Sequence, residues 1–302
     1  MYPLSNLLII DLSRLVPGPF CAHILAEMGA TVIKIEDDAN ADYLKIIPPF
    51  NSQGMGVMYY FLNRHKGVLK ISIKSKEGND FLQELLSRAD VLVETFRPGV
   101  LKKLGLDPKQ LLKKNKKLII ASISGYGASG SLSQKAGHDL NYEALSGVLQ
   151  TNKAPHFLWA DLIGGGYYAV SAILASLLKR VQTQKGEHLD ISLTQSLFYL
   201  NSLRWLESQA GFQNNMLDGT LARYRVYETK DQKQMALAAL EDKFWNQWCE
   251  WIGKNEWKDK GGEFPDRENA LHHEMEQIFK SKNQDDWVLG SQNLDICLTP
   301  VL

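Results

Sequence analysis

Neither sign of charge is in excess in this sequence of 302 residues, where Lys plus Arg and Asp plus Glu each number 34. No overall field draws such a chain to nucleic acid or to an anionic membrane, so any polyanionic ligand has to be met by a local basic cluster. Cysteine is scarce: Cys21, Cys249 and Cys297 lie far apart. They make neither a CxxC metal pattern nor an even disulfide framework, and reduced thiols in a cytoplasmic compartment are the expectation. The opening lacks the glycine fingerprint of dinucleotide binding, because SRLVPGP at 13–19 supplies one glycine where a G-x-G-x-x-G turn is needed. NAD is therefore not expected. Met1 runs directly into an apolar strand pattern without the basic region and cleavage site of a signal peptide, and no segment is expected to be apolar and long enough to span a membrane. Internal repeats, heptad seams and low-complexity stretches are also missing.

What is present reads as two lobes. NLLIID at 6–11 has the pattern of a buried strand, Phe20, Ile24 and Met28 recur at helical spacing up to Gly29, and TVIKIE at 31–36 supplies a second strand. That βαβ unit favours a parallel sheet. LKISIK at 69–74, an amphipathic helix over 76–88, VLVET at 91–95 and LIIASIS at 118–124 continue the alternation. The expected fold class is α/β: a Rossmann-like, doubly wound parallel sheet in a large domain over 1–190. Helices are expected near 140–148, 163–182 and 194–210, with a short strand at 188–192; residues 191–220 read as linker helices. YRVYET at 224–229 and QMALAAL at 234–240 alternate as strands, with helical patterns near 242–252 and 267–280, so 221–302 reads as a smaller α+β domain.

Three segments carry chemistry-bearing residues. In GHDLNYEALSGV at 137–148, His138 stands beside Asp139 where an irregular segment enters a helix. Asp139 suits a helix N-cap with His138 as a bystander; alternatively, a histidine at the positive end of a helix dipole is disfavoured as imidazolium and can accept a proton. In WADLIGGGYYAV at 159–170, Asp161 precedes Gly164, Gly165 and Gly166 at the start of an apolar helix. Each glycine in a helix interior costs about 1 kcal/mol relative to alanine, so three together need a compensating reason, either close helix packing or backbone approach to a ligand. Asp161 is then an N-cap or a reactive carboxylate. Glu241, in ALAALEDKFW, opens a helix of the smaller lobe, where an acid is favourable on dipole grounds alone.

Taken in order, GHDLNYEALSGVL, ADLIGGG, NMLDG at 215–219 and ALEDKF at 239–244 closely resemble the motifs of the α-methylacyl-CoA racemase branch of the family III CoA-transferases. LSRLVPGPFCAHILAEMGATVIKIE at 12–36, LNRHKG at 62–67 and VLVETFRPGVLKKLGL at 91–106 resemble general features of the same family, so the resemblance spans essentially the whole chain. It implies that His138 and Asp161 are acid/base groups on opposite faces of an acyl-CoA α-carbon, with Glu241 partnering the histidine. One group would remove the α-proton to give a thioester enolate and the other would return a proton from the opposite face, with neither metal nor prosthetic group; CoA enters as part of the thioester substrate. Backbone N–H groups near the glycine-rich helix start, or in SGYG at 124–127, are candidates to meet the enolate charge. Arg64, Lys66 and Arg97 match the family's CoA-binding segments. The resemblance also implies a homodimer, in which chains can interlock.

The sequence departs from that pattern in three places. Phe157 stands where racemases usually carry an Asn four residues before the catalytic Asp, and Thr220, Leu221, Ala222 and Arg223 follow NMLDG in place of small and aromatic residues. The sequence also ends at CLTPVL, a point from which the family's pattern continues with a return segment. Two other functions stay open: CoA transfer between carboxylic acids, with Asp161 as nucleophile and no need of His138, and a non-catalytic CoA-binding remnant.

Overall fold

The computed structural model describes residues 2–37, 41–149, 155–211, 217–258 and 270–302. Two compact units divide the chain, Met1–Trp205 and Leu206–Leu302. In the first, β1 (Leu8–Asp11), β2 (Thr31–Glu36), β3 (Gly67–Lys70), β4 (Val91–Glu94), β5 (Ile119–Ser124) and β6 (His188–Ser192) form one sheet in the order β3-β2-β1-β4-β5-β6. All five pairings are parallel. Both faces of such a sheet must be covered, which explains why its strands are almost uninterrupted apolar runs. Ile9, Val91, Val93, Ile119, Ala121 and Ile123 pack on one side, against α1 (Pro17–Glu27) and the helical run over 159–183. Ile10, Leu92 and Ile120 pack on the other, where α3 (Lys76–Arg88), α4 (Val100–Lys103) and α5 (Pro108–Lys114) bring Leu82, Leu86, Leu101 and Leu111; α2 (Val57–Asn63) lies before β3.

The expected strand at 69–74 is shifted, because its partner β2 ends at Glu36, which pairs with Lys70. The chain then turns toward α3, whose cap Ser75 accepts the Gly78 N–H at 3.0 Å. Asn201 divides the helix expected over 194–210 into α8 (Leu193–Leu200) and α9 (Ser202–Gln209). Residues expected to begin a linker at 191 instead finish β6 and pack into the first unit, where Ile191, Leu193 and Leu197 are buried.

The apolar run after Asp161 is a helix of unusual form. Trp159–Tyr167 winds as a wide π-helix and continues as α7 (Tyr168–Thr183). At 25 residues the combined helix is long and apolar enough to cross a membrane, which corrects the expectation that no segment was. Here Ala160, Ala169, Val170 and Ile173 pack into the core of the first unit. The three glycines are explained by contact with neighbouring elements. A Cβ on Gly164 would lie 2.8 Å from the Leu193 carbonyl, one on Gly165 2.8 Å from Pro17 Cβ, and one on Gly166 2.6 Å from Phe20 Cδ1. Close packing against α1 and α8 is thus the compensating reason.

The second unit has an antiparallel sheet of three strands, β7 (Tyr224–Glu228), β8 (Gln234–Ala238) and β9 (Leu298–Val301), with β8 in the centre. Among the described residues it also carries the helices α10 (Asp242–Trp251), α11 (Ala270–Phe279) and α12 (Gln284–Ser291) and a short 3-10 turn at Asn255–Trp257. Its core is aromatic: Phe279 stacks on Tyr227 and on Trp248 with centroids 4.5 and 5.0 Å apart, and Trp245 and Trp287 are buried beside them. The observed architecture is the α/β large domain with a smaller α+β domain that the sequence led us to expect.

Candidate active site

The order of the sheet reverses between β1 and β4, so the loops leaving those strands diverge and open a crevice at their carboxyl ends. The Leu12 N–H donates to Val93 O at 2.8 Å and the Arg14 N–H to Thr95 Oγ1 at 3.1 Å, tying the two loops at its base. A cleft of about 530 Å³ lies there, and His138, Asp161 and Arg97 all line it, together with Ser124, Gly125 and Tyr142. A second hollow of about 240 Å³ sits over the ends of β1–β3. Arg14, Phe96 and Val100 line both, so the two adjoin.

His138 is the N-cap of α6 (Asp139–Ser146), and its backbone N–H donates to Asn141 Oδ1 at 3.0 Å. Asp139 is not the cap but the first helical residue, and its side chain reaches across to the wide helix, where its Oδ1 accepts the Asp161 N–H at 2.7 Å. Asp161 is the third residue of that helix, whose N-cap is Leu158, so the capping role open to Asp161 in the sequence is not the one it fills. Its carboxyl is pushed up from 3.8 to about 7, by burial first and then by the Asp139 carboxylate. An acid so placed exchanges a proton readily near neutral pH.

Sequence reasoning missed Glu143, one turn beyond Asp139. It is fully buried and its Oε1 accepts the Trp159 N–H at 3.1 Å. Burial and then the neighbouring Asp139 push its carboxyl up to about 7. The i, i+4 spacing of Asp139 and Glu143 was a readable signal that both acids share one helix face. Tyr142 was also missed; its hydroxyl donates to Gly137 O at 2.5 Å, and its ring fills the space that side chains on Gly125 and Gly137 would occupy. The amides of Trp159 and Asp161 are engaged by these carboxylates, which removes them as enolate donors. The SGYG segment stays a candidate, since Gly125 and Tyr126 line the cleft and Ser124 Oγ there is buried without a hydrogen-bond partner among the described residues.

The three expected CoA cations have different fates. Arg97 lines the cleft and is exposed. Arg64 does not line it: its guanidinium lies 3.4 Å from Glu27 Oε1 and over the Phe61 ring. The Lys66 side chain is fully enclosed. Its ammonium donates to Asp11 Oδ2 and Pro19 O, both at 2.9 Å, and to Asn63 Oδ1 at 3.1 Å, so all three protons are used and none is left for a phosphate. Burial alone would raise the Asp11 carboxyl, yet Lys66, Lys34 and Ser13 together hold it below its ordinary value, which marks a structural ion pair under the loop at 12–16. Lys66 is engaged in that pair and does not line the cleft.

Glu241 is exposed at the N-cap of α10 in the second unit. Asn215 and Met216 of the NMLDG motif lie outside the described residues; Leu217, Asp218 and Gly219 line a groove of about 650 Å³ beside β7 and β8. Phe157, at the position of the usual Asn, packs edge-on against Trp159 with centroids 4.6 Å apart. Among the described residues no cluster of three or more His, Cys, Asp or Glu side chains is placed to hold a metal ion.

The pattern of CoA-transferase family III matches residues 4–302. The chain is 34% identical over 316 aligned residues to "Alpha-methylacyl-CoA racemase" of Homo sapiens, covering 99% of this chain and 78% of the relative. It is 30% identical to "Acetyl-CoA:oxalate CoA-transferase" of Acetobacter aceti over 84% of this chain and 68% of that one. The crystal structure of a CAIB/BAIF family protein from Brucella suis superposes with a TM-score of 0.86 at 25% identity, over 99% of this chain and 84% of that chain.

Proposed function

Since the chain belongs to CoA-transferase family III and is an enzyme of that superfamily, we propose that it epimerises the α-carbon of 2-methylacyl-CoA thioesters by two-base proton transfer. The observation that carries this reading is that His138 and Asp161 line one cleft, with the Asp161 carboxyl held up to about 7. A nucleophilic carboxylate is best fully ionised, whereas a general acid/base is best poised near the working pH. In the forward direction one of the two groups takes the α-proton, and the C–H electron pair moves toward the thioester carbonyl to form an enolate. The other group delivers a proton to the opposite face, and the thioester carbonyl is restored with the centre inverted. Donors of the SGYG segment are the part of the cleft suited to the enolate oxygen. The adjoining hollow, with Arg97 and Arg14 near its junction with the cleft, suits an elongated, phosphate-bearing handle such as CoA. A homodimer belongs to the same reading and is tested by light scattering.

Relatives that bear transferase names favour a second reading, CoA transfer with Asp161 as nucleophile. Incubation with one enantiomer of a 2-methylacyl-CoA in D₂O separates the two. Uptake of α-deuterium with loss of optical purity, in the absence of any acceptor acid, is the expected result. No exchange, together with acyl transfer once a carboxylic acid is added, sinks the racemase reading in favour of the transferase. Binding of CoA with neither reaction identifies a remnant.

A further inference from the structure

The wide helix that carries Asp161 begins without a cap of its own, since Leu158 at its N-cap offers no side-chain bond. The first amides of any helix need partners, and here two of them are met from a different element. Glu143 Oε1 accepts the Trp159 N–H at 3.1 Å and Asp139 Oδ1 the Asp161 N–H at 2.7 Å. The two acids lie four residues apart on α6, directly behind its N-cap His138, so one rigid helix face sets both proton-transfer groups.

Glu143 is the unexpected member of this arrangement. It is fully buried and does not line the cleft, so no proton in the proposed reaction passes through it. A buried carboxyl at an interior helix position is costly compared with an apolar side chain and needs a reason. Its hydrogen bond supplies one. Beyond the packing of Ala160 and the three glycines, Asp139 gives the first turn one hydrogen-bonded anchor from α6, at Asp161. A second anchor two residues earlier, at Trp159, fixes its direction as well and therefore fixes where the Asp161 carboxyl points.

We propose that Glu143 is a positioning residue for the reaction at Asp161: by accepting the Trp159 amide it locks the first turn of the wide helix against α6. The inference rests on the reading that Asp161 takes part in the chemistry. Its needs are an acceptor of the right length, not a charge, so an amide serves where a hydrocarbon does not. Displacing a reacting group by about 1 Å costs on the order of a hundredfold in rate.

The test compares wild type, Glu143→Gln and Glu143→Leu for α-deuterium exchange in D₂O, with kcat and KM measured separately, CoA affinity by calorimetry and folding by thermal melts. Glu143→Leu is expected to lower kcat about 10- to 100-fold while KM and CoA affinity stay within about threefold. Glu143→Gln, which keeps the acceptor, is expected to restore kcat to within about threefold of wild type. Should the leucine variant fail to fold, Glu143→Asp withdraws the acceptor by one methylene without adding bulk and is expected to show the same loss of kcat. A wild-type kcat in the folded variant that lacks the acceptor overturns the proposal, as does a glutamine variant no faster than the leucine one. Absence of exchange in the wild type bears instead on the racemase reading, and the same variants are then compared in the acyl-transfer assay.

Discussion

Replacing Asp161 by asparagine removes one titration from the cleft while keeping the side chain's shape and the backbone N–H that donates to Asp139. In the folded protein burial and the Asp139 carboxylate raise the Asp161 carboxyl from 3.8 to about 7. Between those values the native state holds a proton that the unfolded chain has released, so this group lowers stability as pH rises through the window and has no further effect above about 7. Roughly three pH units at about 1.4 kcal/mol each set a ceiling of about 4 kcal/mol. The carboxyl is partly open to the cleft, and solvent screening brings the expected value down to roughly 1–3 kcal/mol. An amide side chain in its place carries no such cost. The Asp161→Asn variant is therefore expected to be close to wild type in stability at pH 4 and more stable by roughly 1–3 kcal/mol at pH 8, while its proton-exchange activity is lost. Loss of the Asp161 charge also eases the ionisation of Glu143, which it helps to oppose, and this acts in the same direction. Urea denaturation of both proteins at a series of pH values measures the difference. A gap that does not change with pH, or that narrows as pH rises, refutes burial of an ionisable Asp161 as its origin.

His138→Ala is expected to abolish inversion, by at least about a hundredfold, and to leave CoA binding intact; chiral analysis of the thioester checks this, and full racemisation by the variant sinks the two-base assignment. Arg97→Ala is expected to weaken CoA by roughly 10- to 100-fold, with a shallower salt dependence in calorimetry; unchanged affinity at low salt moves the phosphate site elsewhere. Lys66→Met strands the buried Asp11 carboxylate and is expected to cost about 3–5 kcal/mol in denaturant unfolding; a loss below about 1 kcal/mol argues against the enclosed pair. Gly165→Ala sets a Cβ 2.8 Å from Pro17 Cβ and is expected to cost roughly 1–3 kcal/mol, whereas a neutral outcome in the same assay denies the close packing of the wide helix on α1.

Hydrophobic pattern alone determined most of the architecture of this protein. Apolar runs of four to six residues, punctuated by Gly29 and by amphipathic stretches such as 76–88, specify buried parallel strands and covering helices because no other arrangement buries both faces of each strand. Resemblance to the family's motifs brought His138, Asp161 and Arg97 forward as candidates, and the fold sets all three on one cleft. Tertiary structure decided what local pattern cannot carry. Lys66 reads as an exposed cation in LNRHKG, yet its ammonium is enclosed by Asp11 of β1, Pro19 of α1 and Asn63 of α2, the first two more than 40 residues away along the chain. The end of β3 at Lys70 depends on where β2 stops, and the three glycines on how closely Pro17, Phe20 and Leu193 approach. Glu143 and Asp139 cap a helix that lies some 20 residues further along the chain. Capping, burial and ion pairing between distant segments depend on distances in space, and a sequence records only distance along the chain.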